Sequence, residues 1–237
     1  MLYIPIPARE IPDVPGLHIP DGFVSLPVSL IGWAITIAVI ALAVKKTNTE
    51  MGEKAAPLMG VLAAFIFAGQ MINFPVAGGT SGHLLGGTLA AILVGPWAAV
   101  IVMTAVVGVQ ALIFQDGGLV VLGTNILNMG ILTAFLGYGI FRAVTGVIAG
   151  PTGRLAGSFS GAWLTVMAAA TLTSVQLALS GTSALDVALP AMLGVHALIG
   201  VGEGLITAAA IALVVAARPD LIERSDGSRT MSPEVSA

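Results

Sequence analysis

Long apolar runs, separated by short clusters of glycine, proline and polar residues, organise this chain. Seven runs stand out, at roughly 25–44, 56–72, 83–95, 96–114, 124–148, 155–179 and 186–217. A helix that crosses a bilayer needs about 20 residues. The pattern therefore predicts an all-α, polytopic membrane bundle of about seven transmembrane segments. The run from His83 to Gly95 is too short to cross upright; tilted, partly re-entrant, or continuous with polar backbone lining a site all remain open for it. The last run is long enough for a span with a broken or tilted start.

Composition agrees. Hydrophobic residues make up 57% and charged residues 9% of the 237 positions, with mean hydropathy +1.01. A soluble domain carries about 25% charged residues, so this chain cannot cover a water-facing surface. Its 30 glycines suit helices that approach closely in lipid. Residues 1–16 hold Pro5, Pro7, Pro12 and Pro15 with Arg9, Glu10 and Asp13. They lack the apolar core of a secretory signal and read as a disordered leader. Residues 17–217 form the membrane domain, and 218–237 a polar cytoplasmic tail.

Charge placement sets an orientation. Lys45, Lys46 and Lys54 follow the first run, Arg142 and Arg154 flank the break after the fifth, and Arg218, Arg224 and Arg229 follow the seventh. Seven spans with the N-terminus outside and the C-terminus cytoplasmic put all eight on the cytoplasmic side, as the positive-inside rule requires. The polar stretches around His18, 73–82, Gln115–Gly118 and Gly181–Asp186 then share the outer face. The net charge of −3 and the lack of a basic tract give no sign of nucleic acid.

With no cysteine, a metal would be held by nitrogen or oxygen. Of the three histidines, His18 and His83 sit in Gly- and Pro-punctuated polar stretches at the ends of apolar runs. Ile19-Pro20-Asp21-Gly22 is a turn sequence, and Asp21 is placed to orient the His18 ring as carboxylates behind a metal-bound histidine do. The segment Ala77–Gly82 is flexible enough to wrap into a cavity, and its Ser and Thr can cap a helix starting near His83. His196 and Glu203, seven apart in the last run, share a helical face. An intramembrane carboxylate is costly and marks function by default; a buried pair locking helices together is the preferred reading. Gln70, Asn73, Gln110, Asn125 and Asn128 read as interhelical hydrogen bonders or supports around a site. Ala34 and Ala38 in the first run are read as internal packing, against docking of another helix.

Several motifs stand in one order: His18–Phe23 (HIPDGF), Gln70–Pro75 (QMINFP), Gly78–Gly87 (GGTSGHLLGG) and Gln115–Gly130 (QDGGLVVLGTNILNMG). In these the chain resembles the CbiM/NikM family over roughly residues 17–217. Those proteins are the metal-binding membrane components of energy-coupling factor cobalt and nickel importers. The resemblance implies capture of Co²⁺ or Ni²⁺ as transported ligand, with no cofactor and no enzymatic activity, in a bacterial or archaeal cell membrane. It also implies a transmembrane coupling subunit, cytoplasmic ATPase subunits and a small separate accessory membrane protein as partners. No GxxxxGK[ST] motif occurs in the chain.

The resemblance further implies a near-square-planar ligand set: a free N-terminal amine, the backbone nitrogen and imidazole of the second residue, and one more histidine. Carried onto this chain, these are Leu17, His18 and His83. Amine, deprotonated amide and imidazole of adjacent residues close fused five- and six-membered rings. Four nitrogens in a plane suit Ni(II), Cu(II) and low-spin Co(II). The family's motif begins at the initiator, whereas sixteen residues precede Leu17 here. Translation starting at codon 17 would restore the amine; proteolytic trimming after Gly16 and a retained extension with a different fourth ligand are the alternatives. The competing functions are an intramembrane metal-dependent enzyme, for which no HExxH is present, and a metal sensor without transport.

Overall fold

The computed structural model describes residues 18–50, 56–71, 73–76 and 80–218. The body is helical: α1 (Leu26–Glu50), α2 (Ala56–Gln70), α3 (Gly87–Ile113), α4 (Leu122–Ile126), α5 (Leu132–Val147), α6 (Gly150–Leu179) and α7 (Leu185–Ala217). A π-helical turn, Leu127–Ile131, joins α4 to α5. Among the described residues one short antiparallel hairpin departs from the all-α expectation. It pairs β1 (Asn73–Val76) with β2 (Thr80–His83) and sets Asn73 opposite His83.

Five helical stretches are long and apolar enough to cross a membrane: Leu26–Thr49, Gly87–Ile113, Leu122–Val147, Gly150–Leu179 and Leu185–Ala217. The chain is thus a multi-pass membrane protein. In hydrocarbon every peptide group needs an internal partner, which is why these runs are helices. The fifteen-residue α2 is apolar but shorter. One element, α3, takes up residues 87–95 of the expected run 83–95 and all but the last residue of the run 96–114.

That helix is not straight. Gly95 adopts φ 80°, ψ 158°, and Pro96 follows. Glycine tolerates that positive φ, and proline suits the first turn of a new helical limb because it has no N–H to lose. An unbroken helix of this length would span about 40 Å. Yet His18 contacts His83, just before α3, and also Asp116, just after it. The chain must therefore fold back at Gly95–Pro96, and both ends of α3 lie at the same end of the bundle. The helix also begins later than expected: residues 84–86 are not helical, and Gly86 (φ 80°) precedes the first turn without a side-chain cap.

Small residues bring the helices together. A Cβ at Gly161 would lie 2.9 Å from the Gly137 carbonyl, joining α6 to α5. Gly200 and Gly204 of α7 receive Trp163 and Phe159 of α6, where added methyls would meet the rings at 2.9 and 2.7 Å. Ile92 and Met103, from the two limbs of α3, are fully buried. Ala34 and Ala38, expected in internal packing, are instead exposed, because Gly32 and Thr36 form the inward face of α1. Thr36 Oγ1 there donates to the Gly123 carbonyl at 2.7 Å.

The two ends differ in charge. Asp21, Asp116 and Asp186 lie at the His18 end. Lys45, Lys46, Arg142, Arg154 and Arg218, all the basic residues among those described, lie at the opposite ends of α1, α5, α6 and α7. The leader, Leu17, Lys54 and the tail beyond Arg218 lie outside the described residues.

Candidate metal centre

The loop before α1 folds over the top of the bundle. Gly22 turns it with φ 90°, and Phe23 N–H reaches the Pro20 carbonyl at 3.4 Å. Asn125 of α4 grips Ile19 twice, accepting its N–H at 3.2 Å and donating to its carbonyl at 3.1 Å. That carbonyl also accepts the Gly118 N–H at 3.0 Å. Asp21 does not orient the His18 ring as expected. Its carboxylate accepts the N–H groups of Leu119, Val120 and Val121 at 3.1, 2.9 and 3.3 Å, capping the turn that opens α4. Three backbone donors presented together outcompete one imidazole N–H.

Asp116 takes the role expected of Asp21. The His18 backbone N–H donates to Asp116 Oδ1 at 3.3 Å, and Nδ1–H donates to the Asp116 carbonyl at 3.1 Å. A carbonyl only accepts, so Nδ1 carries the proton and Nε2 the lone pair. Nε2 is buried with no hydrogen-bond partner among the described residues. Burial lowers the His18 pKa from 6.5 to about 4, opposed only partly by the Asp116 carbonyl, so the ring is neutral near pH 7. Gly117 (φ 96°) makes the close approach possible; a Cβ there would lie 2.8 Å from His18 Cβ.

The His83 ring meets His18 edge to face, with centroids 4.9 Å apart and planes at 86°. Its Nδ1–H donates to the Leu84 carbonyl at 2.7 Å, so the ring carries its lone pair on Nε2. Both histidines are 6% exposed. Behind them Gln70 Nε2 donates to the Leu85 carbonyl at 2.6 Å. Glu203 accepts Leu85 N–H on Oε2 at 2.9 Å and Gly86 N–H on Oε1 at 2.7 Å.

The remaining candidates serve elsewhere. Asn73 stands across the hairpin from His83 by backbone register, its side chain lying outside the description. Asn128 exchanges hydrogen bonds with Gln176 at 2.7 and 2.8 Å. Gln110 is fully buried, and neither polar atom of its side chain finds a partner among the described residues. His196 does not join Glu203: its ring donates to the Met192 carbonyl one turn back at 2.7 Å. Asp116 is the residue that sequence reasoning passed over; its signal is a lone carboxylate beside two glycines in the loop expected to face His18.

Two buried imidazoles thus converge, with His18 neutral, at a ring separation of 4.9 Å. No group of three or more His, Asp or Glu side chains is placed to hold a metal among the described residues. Softness favours borderline divalent ions over Mg²⁺ or Ca²⁺.

Known proteins share this sequence and architecture. Residues 18–221 match the CbiM family, described as the cobalt uptake substrate-specific transmembrane region. A Haloquadratum walsbyi protein with a metal-transport name is 39% identical, over 92% of this chain and 99% of its own. The cobalt transport protein CbiM of Sorangium cellulosum is 35% identical, over 88% and 95%. A crystal structure of a transition metal transporter superposes with TM-score 0.81 at 33% identity, over 91% of this chain and all of its own. Matching that family model over most of its length, the chain belongs to the CbiM family.

Proposed function

We propose that this protein captures Co²⁺ or Ni²⁺ for an ATP-driven importer, binding the ion between His18 and His83. The meeting of two buried imidazoles, with the amide nitrogen and Nδ1 of His18 turned to one side of the residue toward Asp116, carries this reading. Relatives named for cobalt and for nickel transport support the cargo. The ion is bound by the Leu17 amine, the His18 amide and imidazole, and His83; the amine becomes available once the chain starts or is cut at position 17. In this mode the amide nitrogen and Nδ1 of His18 exchange their protons and their bonds to Asp116 for the metal, while the ring is already neutral.

The site opens outward. Every described basic residue lies at the other end of the bundle, which the positive-inside rule assigns to the cytoplasm. The two limbs of α3, with α1, α2, the α4–α5 unit, α6 and α7, make seven crossings, with the N-terminus outside and the C-terminus inside. ATP hydrolysis comes from cytoplasmic partners through a transmembrane coupling subunit, with a small separate accessory membrane protein. The test is Ni²⁺ and Co²⁺ titration of purified parent and His83→Ala. The variant is expected to lose high-affinity binding while remaining folded in the membrane; parental affinity in the variant sinks the reading.

A further inference from the structure

The chain between His83 and α3 is clamped from two sides. Leu85 and Gly86 give their N–H groups to the two oxygens of Glu203 on α7, at 2.9 and 2.7 Å. The Leu85 carbonyl takes Gln70 Nε2 of α2 at 2.6 Å. Gly86 is wedged against α2, where a Cβ would lie 2.6 Å from Ile66 Cγ2. The His83 ring is oriented by the Leu84 carbonyl, the peptide group immediately before the clamp.

Helix α7 otherwise packs along α6, through Gly200 on Trp163 and Gly204 on Phe159. Beside the clamp a cavity of about 320 Å³ separates α7 from α2, lined by Phe65, Gly69, Gln70, Glu203, Ile206 and Thr207 among others. So α7 has room to shift against α2, and Glu203 ties that shift to the His83 segment. A fully desolvated carboxylate is an expensive link within a spanning helix. Its return is two hydrogen bonds to adjacent peptide groups, which fix position more tightly than apolar contact does.

Building on the metal reading above, we propose that Glu203 is a positioning residue that sets the place of His83 and couples metal affinity to the position of α7. Displacement of α7 into the cavity draws Leu85 and Gly86 with it and withdraws His83 from His18, releasing the ion. By reciprocity, an ion held by His83 restrains α7.

Three proteins with natural N-termini test this: the parent, Glu203→Gln and His83→Ala. A glutamine keeps the size but turns an N–H₂ toward one of the two backbone donors. Glu203→Gln is expected to elute as a folded protein, to release Ni²⁺ at least tenfold faster than the parent, and to show a Ni²⁺ absorption spectrum displaced from the parent's toward that of His83→Ala. Because the chain has no cysteine, spin labels can be placed at the exposed Val61 and Leu213 through cysteine substitutions. Ni²⁺ should narrow the α2–α7 distance distribution in the parent and not in Glu203→Gln. Parental release rate and spectrum in folded Glu203→Gln overturn the positioning role while leaving the metal reading intact. Parental Ni²⁺ binding by His83→Ala overturns both. If Glu203→Gln does not fold, Gln70→Leu removes the opposite anchor of Leu85 and should also speed release; an unchanged rate overturns the proposal.

Discussion

Asp116 Oδ1 lies 3.3 Å from the backbone nitrogen of His18 and 3.6 Å from its Nδ1. Both nitrogens therefore face one side of the residue, the arrangement a six-membered chelate through amide and imidazole needs. Asp116 holds His18 in that orientation, and on the proposed reading it also sets a carboxylate beside the ion. Asp116→Ala should weaken Ni²⁺ binding about tenfold, the equivalent of one hydrogen bond to a charged group. Isothermal titration checks this, and an unchanged or raised affinity would show that Asp116 opposes binding rather than preparing it.

Stability should depend on pH through His18. Its folded pKa, about 4, lies below the ordinary 6.5, so the folded state binds fewer protons between these values. Stability is then full above pH 6.5, falls as the pH drops toward 4 and levels off below, by about 3 kcal/mol in all. Melting temperature against pH for the parent and His18→Gln measures it. The parent should lose more than the variant across that window, and parallel curves would contradict the burial of a neutral ring.

Gly117→Ala should destabilise by about 2 kcal/mol or more, since its positive φ and the nearby His18 Cβ both resist a methyl. Gly139→Ala, on a helical stretch with open space around it, should be neutral or stabilise by up to about 1 kcal/mol. Thermal unfolding of the two variants decides; equal effects would remove the special status of the loop.

Asp21→Ala strips three N–H groups of their acceptor. The expected cost is about 1–3 kcal/mol, with faster amide exchange at Leu119–Val121 and a smaller loss of metal affinity than in Asp116→Ala. A larger loss of affinity than of stability would place Asp21 at the ion.

The start of the chain can be varied directly. A protein beginning with methionine at position 17 should bind Ni²⁺ tightly and show planar-nitrogen absorption. The 237-residue form, its leader verified by mass, should bind far more weakly, because only a free amine beside His18 closes the five-membered ring. Equal affinity and spectra would make the amine dispensable and send the search to another ligand such as His196.

Much of this architecture is legible in the residues. The limits of the stretch Leu122–Val147, α6 and α7 fall within about five positions of the apolar runs, because hydropathy decides what enters lipid. The histidine pair is legible because polar, glycine-punctuated stretches are rare here. Asp116 stands in for Asp21 beside His18, and Asp21 serves residues 119–121 instead, because these partners lie about a hundred positions apart in the chain and only the fold brings them together. Gly95-Pro96 announces a break but not a reversal. The hairpin that ends in His83 was hidden in a glycine-rich stretch that reads as loop, and the π-helical turn leaves no mark in the apolar period.

The reversal at Gly95–Pro96 makes the polarity of the whole C-terminal half depend on two adjacent residues. The chain leaves α3 at the end where it entered, so α4 starts beside the loop that carries His18. A nascent α3 that stayed straight would be read as one stop-transfer segment instead of a hairpin. Each later helix would then be threaded upside down, delivering Asp116 and Asn125 to the membrane face opposite His18. The Gly-Pro pair thus sets the direction in which every later helix runs, and its loss would part Asp116 and Asn125 from His18.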